Sequence, residues 1–377
     1  MRRQNKNNHN VIDLFCGVGG FSLGAARAGF KVSGSCDVDK RILAAHERNF
    51  PSTTHLNADL SNMTGKFLLK MLGKEQNAIT GIIGGPPCQG FSVMGHQRNN
   101  DVRNRLFVHF FRIVSEIKPL FFVCENVPGI LDDDYKALRE SGFDLVDNDY
   151  LLVDPMKFIA SDYGAPTTRA RIFFFGIRND IGITLKPSDF LPSNTIKKIV
   201  VKDALRGLPV KINPDWQEES QGWRTIKHEE DSFFGTRLSG LVPSQVGDKV
   251  AIQRLEKEKK VSGCLGTRHS KAILKRFRKI SHGEVDRVSK SHRLNPNGFC
   301  PTLRAGTGSE RGSYQAVRPI HPTEDRVITP REAARLQGFP DWFQFDSTKW
   351  HSFRQIGNSV SPILAEQVLK VLFERLI

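Results

Sequence analysis

The sequence predicts an α/β fold, a doubly wound sheet followed by a smaller, mostly β or irregular segment, and three observations carry that prediction. The apolar stretch Val11-Ile12-Asp13-Leu14-Phe15 reads as a strand that runs into a glycine-rich turn, Cys16-Gly17-Val18-Gly19-Gly20, and then a helix stopping near Gly29. A second strand over residues 31–36 ends in Asp37-Val38-Asp39. The run Gly81-Ile82-Ile83 closes in Gly84-Gly85-Pro86-Pro87, residues that neither extend a ladder nor start a helix at once, so it reads as a buried strand leaving the sheet in a loop.

Taken in order, residues 1–10 are polar and expected to fray. The strand, turn and helix that follow form half of a nucleotide-binding unit. Its glycines let a ligand approach the backbone, and Asp37, at the end of the second strand, suits a ribose diol. The dinucleotide fingerprint fails, because Ser22 stands two positions beyond Gly20 where a glycine is required; a ribose ligand without that phosphate grip fits at least as well. A helix over about residues 63–72 precedes the strand at 81–83.

The loop after that strand is Gly84-Gly85-Pro86-Pro87-Cys88-Gln89-Gly90-Phe91-Ser92. In open α/β sheets the crevice beyond the carboxyl ends of the strands collects ligands and reacting groups. A thiol held there by two prolines is placed to act as a nucleophile; the alternative is one more small buried hydrophobe. A helix over about 104–117 leads to the strand Leu120-Phe121-Phe122-Val123 and then to Cys124-Glu125-Asn126, so Glu125 shares the sheet edge with Cys88. A helix near 134–141 precedes two closing strands, 149–154 and 171–177. Arg169 and Arg171 between them point to one side of an extended segment.

From about residue 187 the strand-helix rhythm breaks. Residues 186–327 hold 27 Lys and Arg against 16 Asp and Glu, so this stretch carries +11 of the net +15. Within it, residues 268–293 are the most basic part and read as a phosphate-contacting surface. At Thr329-Pro330-Arg331-Glu332 a capping box opens another helix, ending at Gly338. Residues 355–362 read as a loop before a final amphipathic helix to about Leu376 that packs back on the first part of the chain. The expected division is 1–185, 186–327 and 328–377.

The composition fits this layout. With 377 residues, 39% of them hydrophobic and 25% charged, the chain has ample length for a large core. No apolar run approaches the roughly 18 residues that span a bilayer, and the basic start leads into no apolar leader, so a cytoplasmic protein without membrane contact is expected. Six cysteines, at 16, 36, 88, 124, 264 and 300, form no CxxC pair, which argues for reduced thiols and against a bound metal. The sequence pI near 9.7 points to nucleic acid as partner.

Six ordered motifs resemble the DNA (cytosine-5)-methyltransferases of bacterial restriction-modification systems. They are Asp13-Leu14-Phe15-Cys16-Gly17-Val18-Gly19-Gly20-Phe21, Gly85-Pro86-Pro87-Cys88-Gln89-Gly90-Phe91-Ser92, Glu125-Asn126-Val127, Arg169-x-Arg171, the run from Arg331 to Pro340, and Gln355-Ile356-Gly357-Asn358-Ser359-Val360. The resemblance spans nearly all of the chain outside 186–297. It implies a Rossmann-like S-adenosylmethionine-dependent sheet with a target-recognition domain, acting on double-stranded DNA as a monomer, with a possible cognate endonuclease.

By that resemblance Cys88 is the nucleophile, while Glu125, Arg171 and Arg169 serve the target base. Phe15, Gly17, Gly19, Gly20, Asp37, Val38, Asp59, Pro87, Asn358 and Ser359 line the S-adenosylmethionine site. Gln89, Ser92 and Thr302 are expected to contact DNA, Thr302-Leu303 matching the segment that closes the recognition domain, and the charge count adds Arg268, Lys271, Lys275 and Arg276. Two positions depart from the family pattern: Thr167 replaces a glutamine before the arginine pair, and Val38 replaces an aromatic residue that stacks on adenine.

The chemistry explains the residue types. Cytosine C5 is too weak a nucleophile to take a methyl group unaided, so a thiolate must first add at C6. The charge that builds near N3 then calls for a carboxylic acid and an arginine, and the base must leave the duplex stack. A tRNA-directed cytosine methyltransferase of the same architecture, an NAD oxidoreductase and a catalytically inert DNA-binding protein are the competing readings. The failed glycine fingerprint disfavours the second, and the presence of Cys88 and Glu125 the third.

Overall fold

A computed structural model describes residues 9–87, 105–227, 232–306 and 318–376. The first half alternates as expected, with β3 an additional strand: β1 (Asn10–Leu14), α1 (Gly20–Ala28), β2 (Lys31–Asp37), α2 (Lys40–Asn49), β3 (Thr54–Asn57), α3 (Gly65–Leu72), β4 (Ile79–Gly84), α4 (Arg105–Ile117), β5 (Phe121–Asn126), α5 (Lys136–Phe143), β6 (Tyr150–Ile159) and β7 (Ala170–Arg178). The seven strands form one sheet in the order β3-β2-β1-β4-β5-β7-β6. β3, β2, β1, β4 and β5 are mutually parallel, and β7 runs antiparallel between β5 and β6. The order reverses between β1 and β4, which puts the ligand crevice at their carboxyl ends.

Alternation along the strands builds an apolar layer on each face. In β5, Phe121 and Val123 enter one core with Phe21, Leu23 and Ala25 of α1, while Phe122 and Cys124 enter the other with Leu68 and Leu69 of α3 and Phe107, Phe110 and Phe111 of α4.

Beyond β7 the regular elements are short: α6 (Val201–Leu205), β8 (Arg224–Thr225), α7 (Phe233–Ser239), α8 (Lys249–Glu258), β9 (Lys260–Val261) and α9 (Lys271–Phe277). The irregular character expected here is observed. Among the described residues the strand content is smaller than expected, a two-residue pair and isolated bridges, and short helices supply most of the regular structure because each needs only one apolar stripe to dock. Phe190, Val201, Leu238 and Val261 join the main core through the C-terminal helices, whereas Phe277, Ile320 and Val327 form a small core of their own.

The chain ends in α10 (Pro330–Gln337), α11 (Lys349–Asn358) and α12 (Pro362–Leu376). The capping box is present: Glu332 N donates to Thr329 Oγ1 at 3.2 Å and Thr329 N to Glu332 Oε2 at 2.7 Å. All eight residues of α10 are buried, including Arg331 and Arg335. Arg335 pairs with Asp341 at 2.6 Å, and Arg331 donates to the carbonyls of Ser262, Pro340 and Phe343, so these guanidiniums are compensated as buried charges must be. α12 lies on α1, where a Cβ at Gly24 would fall 2.3 Å from that of Ala365. The expectation of a loop over 355–362 is corrected. Residues 355–358 complete α11, since Gly357 packs its bare Cα on the backbone of Arg304 and Ala305 and the helix gains that contact by continuing; the connection is residues 359–361.

Candidate active site

Two carboxyl ends of the sheet meet at the crevice. β5 ends in Glu125 and Asn126, and β4 delivers Gly85, Pro86 and Pro87 beside them. Asn126 Nδ2 donates to Pro86 O at 3.4 Å, and a Cβ placed on Gly85 would lie 2.9 Å from Glu125 Oε2. The glycine is therefore required for the carboxylate to sit against the start of the loop. Cys88, Gln89 and Ser92 lie outside the described residues.

Glu125 is buried, not the solvated loop carboxylate that its place after a strand allows. Its register partner in β7 is Phe173, and Arg171, two residues earlier, reaches it: Arg171 Nε stands 2.7 Å from Glu125 Oε1, with 11% and 10% of the two side chains exposed. Burial raises the Glu125 carboxyl above its ordinary value, and the nearby Arg171 and Arg169 guanidiniums pull back against that rise without cancelling it. The result is a carboxyl that takes a proton readily while held beside a fixed positive charge. Arg169, also buried, donates from Nη1 to Leu303 O at 3.3 Å. Residues 166–168 are tied to Cys300 by Cys300 N to Pro166 O at 2.9 Å and Thr168 N to Cys300 O at 3.0 Å. The 300–303 segment thus reaches the arginine pair, with Thr302 exposed beside it, and Thr167 spends its backbone on that junction.

Around the β1/β4 switch point a second group gathers. Phe15 takes a left-handed backbone (φ 59°), an uncommon state for a bulky residue and a mark of local constraint. Gly17 follows at φ 54° with open space where a side chain would be. Asp37 accepts from Gly17 N and Asp39 N, both at 2.9 Å, which leaves each oxygen a free lone pair for a diol. Asn57 Nδ2 donates to the carbonyls of Asp37 and Val38 and fixes that turn, leaving Val38 69% exposed. Asp59 is exposed and caps the next turn through Ser61 N. Gly19 and Gly20 serve packing: a Cβ on the first would strike Phe50, and one on the second would lie 2.0 Å from Ser359 Oγ. This contact brings Ser359, with Asn358 exposed next to it, to the head of α1. A bare glycine cradle, a half-buried acid with lone pairs to spare and an open apolar face fit a nucleoside with a ribose diol.

Beneath the cradle lies a chain of polar groups that sequence reasoning missed. Ser22 Oγ donates to Asp13 Oδ2 at 2.6 Å, His46 Nε2 meets Ser22 Oγ at 3.0 Å, and His46 Nδ1 meets His55 Nε2 at 2.8 Å. Burial, and secondarily the Asp37 charge, push the Asp13 carboxyl up to about 7 despite the Ser22 hydrogen bond; burial and His55 push His46 well below its ordinary value. The polar residues facing inward from β1, α1 and α2 were the available signal.

The basic surface is partly spent on the protein itself. Lys271 and Lys275 are exposed on α9. Arg268 pairs with Asp215 at 2.6 Å on the surface, Arg276 with the buried Asp286 at 2.8 Å, and Arg293 is buried, 2.9 Å from Asp325. Reading all of 268–293 as phosphate contacts is therefore corrected for Arg293, whose guanidinium is enclosed. Among the described residues, no group of His, Cys, Asp and Glu is placed to hold a metal, and no helix is long and apolar enough to cross a membrane. Burial raises the thiols of Cys16, Cys36, Cys264 and Cys300, that of Cys36 to about 12, so these four are poor nucleophiles.

Comparison with known proteins gives a consistent picture. The profile of the C-5 cytosine-specific DNA methylase family matches residues 9–374. The type II methyltransferase M.XorII of Xanthomonas oryzae is 39% identical over 96% of this chain and 84% of its own. A solved E. coli structure, described as that of a prophage-encoded DNA modification methyltransferase, superposes with TM-score 0.88 at 50% identity, covering 97% of this chain and 99% of that one. The Dnmt2 methyltransferase of S. pombe shares the fold at TM-score 0.63 and 14% identity, covering 97% and 98%.

Proposed function

We propose, for a chain that belongs to the C-5 cytosine-specific DNA methylase family, that it methylates a cytosine extruded from a specific duplex site through a covalent bond between Cys88 and C6. The chain is a DNA (cytosine-5)-methyltransferase of the type II restriction-modification kind. The observation that supports the finer reading is the Glu125–Arg171 pair at 2.7 Å, set against Gly85 at the start of the Cys88 loop.

Cys88 Sγ attacks C6 as a thiolate, and the ring electrons move toward C5 and N3. Glu125, whose carboxyl burial keeps prone to protonation, donates to N3, and Arg171 stabilises the charge on the neighbouring carbonyl oxygen. S-adenosylmethionine, when bound, supplies the methyl group that C5 takes. The C5 proton then leaves to water, the electrons of that bond restore the ring double bond and expel Cys88 as the thiolate, and N3 returns its proton to Glu125. Phe15, Gly17, Gly19, Gly20, Asp37, Val38, Asp59, Asn358 and Ser359 would hold the cofactor, Asp37 through the ribose and Val38 through a weak apolar contact with adenine. Pro87, at the mouth of the Cys88 loop, would separate the two ligands.

We further propose the division into 1–185, 186–327 and 328–377, action as a monomer in the bacterial cytosol, and DNA contact through Gln89, Ser92, Lys271, Lys275, Thr302 and the exposed Arg268. Arg276, which pairs with Asp286 while a third of its side chain stays exposed, is kept among these contacts. A cognate endonuclease would share the target. Bisulfite sequencing of plasmid DNA from cells expressing the chain tests the reading. Conversion-resistant cytosines in one recurring sequence are expected, and none with Cys88→Ser; resistance that survives in that variant would refute the role of Cys88.

A further inference from the structure

Outside the crevice, residues 283–293 form an exposed hairpin. Val285 and His292 pair antiparallel across it. The hydrogen bonds Asp286 N to Ser291 O, Lys290 N to Asp286 O, Arg293 N to Glu284 O and Gly283 N to Arg293 O, all between 2.8 and 2.9 Å, zip its two arms. Lys290 takes a left-handed backbone (φ 59°) where the chain turns back, the conformation that closes a short hairpin loop.

Two ion pairs make it rigid. Asp286, 2% exposed, accepts from Ser289 N at 2.9 Å, from Ser289 Oγ, and from Arg276 Nε at 2.8 Å, so one buried carboxylate clamps the tip from inside and ties it to α9. At the base, Arg293 donates to Phe277 O at 2.8 Å and His321 O at 3.2 Å and pairs with Asp325. The burial of Asp286 would raise its carboxyl, but the Ser289 and Arg276 hydrogen bonds outweigh it and hold the group down to about 2, so the clamp stays charged.

What this frame presents outward is unusual for a solvated turn. Val288 is 70% exposed at the tip with Val285 44% exposed below it, flanked by exposed Arg287 and Lys290, and α9, tied to the hairpin through Arg276, carries exposed Lys271 and Lys275 with Lys279 just beyond. An exposed apolar tip between cations suits a surface that is charged at its edges and apolar within, which describes the major groove: phosphates line its walls, and thymine methyl groups project from its floor. A two-stranded ribbon is also one of the shapes that groove admits.

We infer that the 283–293 hairpin is a sequence-reading element that enters the major groove, with Val288 against the methyl group of a thymine and Arg287 and Lys290 on the flanking phosphates. The inference rests on the reading of this chain as a duplex DNA methyltransferase. Arg276 and Asp286 act as positioning residues, holding the tip from α9.

The test uses the full chain and a duplex library with randomised sequence, methylated in vitro with S-adenosylmethionine and read by bisulfite conversion. Wild type is expected to return one preferred sequence. Val288→Ser, at an exposed position that leaves thermal stability unchanged, is expected to lose roughly tenfold of its discrimination at one A·T pair while the rest of the preference stays. Replacing that thymine by deoxyuridine, which lacks the methyl group, is expected to slow wild type and leave Val288→Ser unaffected. Arg287→Gln with Lys290→Gln is expected to weaken binding across all sequences and flatten the salt dependence by about one to two charges. An unchanged sequence preference in Val288→Ser, or an unchanged salt slope in the double variant, overturns the inference. A wild type that protects no cytosine at all overturns the functional reading instead.

Discussion

Removing the Glu125 carboxylate in two ways separates its work in folding from its work on the base. Arg171 Nε lies 2.7 Å from Glu125 Oε1 with only about a tenth of either side chain open, and Arg169 is buried close by. Glu125→Ala therefore strands one guanidinium beside another. Breaking a buried pair costs about 3–5 kcal/mol, and the slight opening to the crevice puts this case near the lower end, about 3 kcal/mol. Glu125→Gln keeps an oxygen that still accepts from Arg171, so the loss of stability is expected to be about 1 kcal/mol. The amide has no proton to give N3, however, and turnover is expected to fall about 10²- to 10⁴-fold. Arg171→Gln is expected to destabilise less than Glu125→Ala at pH 6, because a lone carboxyl escapes burial of charge by taking a proton, while a guanidinium does not. Urea unfolding and transfer of tritiated methyl groups to plasmid DNA measure the two effects. Turnover of Glu125→Gln within about threefold of wild type would refute the role of the acid.

The polar chain under the cradle predicts opposite pH limbs. The Asp13 carboxyl is raised in the fold, to about 7, so the native state holds its proton where the unfolded state does not; the stability it contributes is present below pH 4 and lost as pH rises to 7. That rise above the ordinary carboxylate range corresponds to at most about 4 kcal/mol, and Asp13→Asn is expected to flatten the decline in urea titrations. His46 is depressed, so its contribution is present above pH 6.5 and lost as pH falls; His46→Gln is expected to remove the acid limb in the same titrations. Gly20→Ala sets a methyl 2.0 Å from Ser359 Oγ and 2.3 Å from the Val360 carbonyl; a loss of about 1–3 kcal/mol and a weaker affinity for S-adenosylmethionine by calorimetry are expected. Asp341→Ala strands the enclosed Arg335 and is expected to cost about 3–5 kcal/mol in unfolding without changing the KM for S-adenosylmethionine.

In the parallel half of the sheet β1, β4 and β5 were legible because each is a short apolar run closed by glycine, proline or acid, and α1, α3 and α4 carry stops at Gly29, Gly73 and Pro119; β3, with only Leu56 apolar in four residues, was not. The end of α11 was not. Gly357 and Asn358 look like loop residues, and what makes them helical is a backbone about 50 residues upstream that packs on the glycine. The short helices after β7 were obscured for a similar reason: Phe190 and Phe234 find their partners in elements far along the chain, so no local period announces them. In the site, Glu125 and Arg171 could be named from their motifs. Their direct pairing depends on β7 inserting antiparallel beside β5, an order that no stretch of sequence states. Charge was read by count, and Arg293 shows its limit: its guanidinium is enclosed and paired with Asp325, so that charge is spent within the protein.

The proposed chemistry rests on a bond between Cys88 and the target base. A duplex carrying 5-fluorocytosine at the methylated position tests it, since fluorine at C5 cannot leave as the proton does and the adduct is trapped after methyl transfer. Incubated with S-adenosylmethionine, the wild-type chain is expected to form a denaturant-stable complex whose peptide map places the modified base on Cys88. A complex that forms equally well with Cys88→Ser, or a wild type that turns over normal DNA yet traps none of the fluorinated duplex, would contradict it.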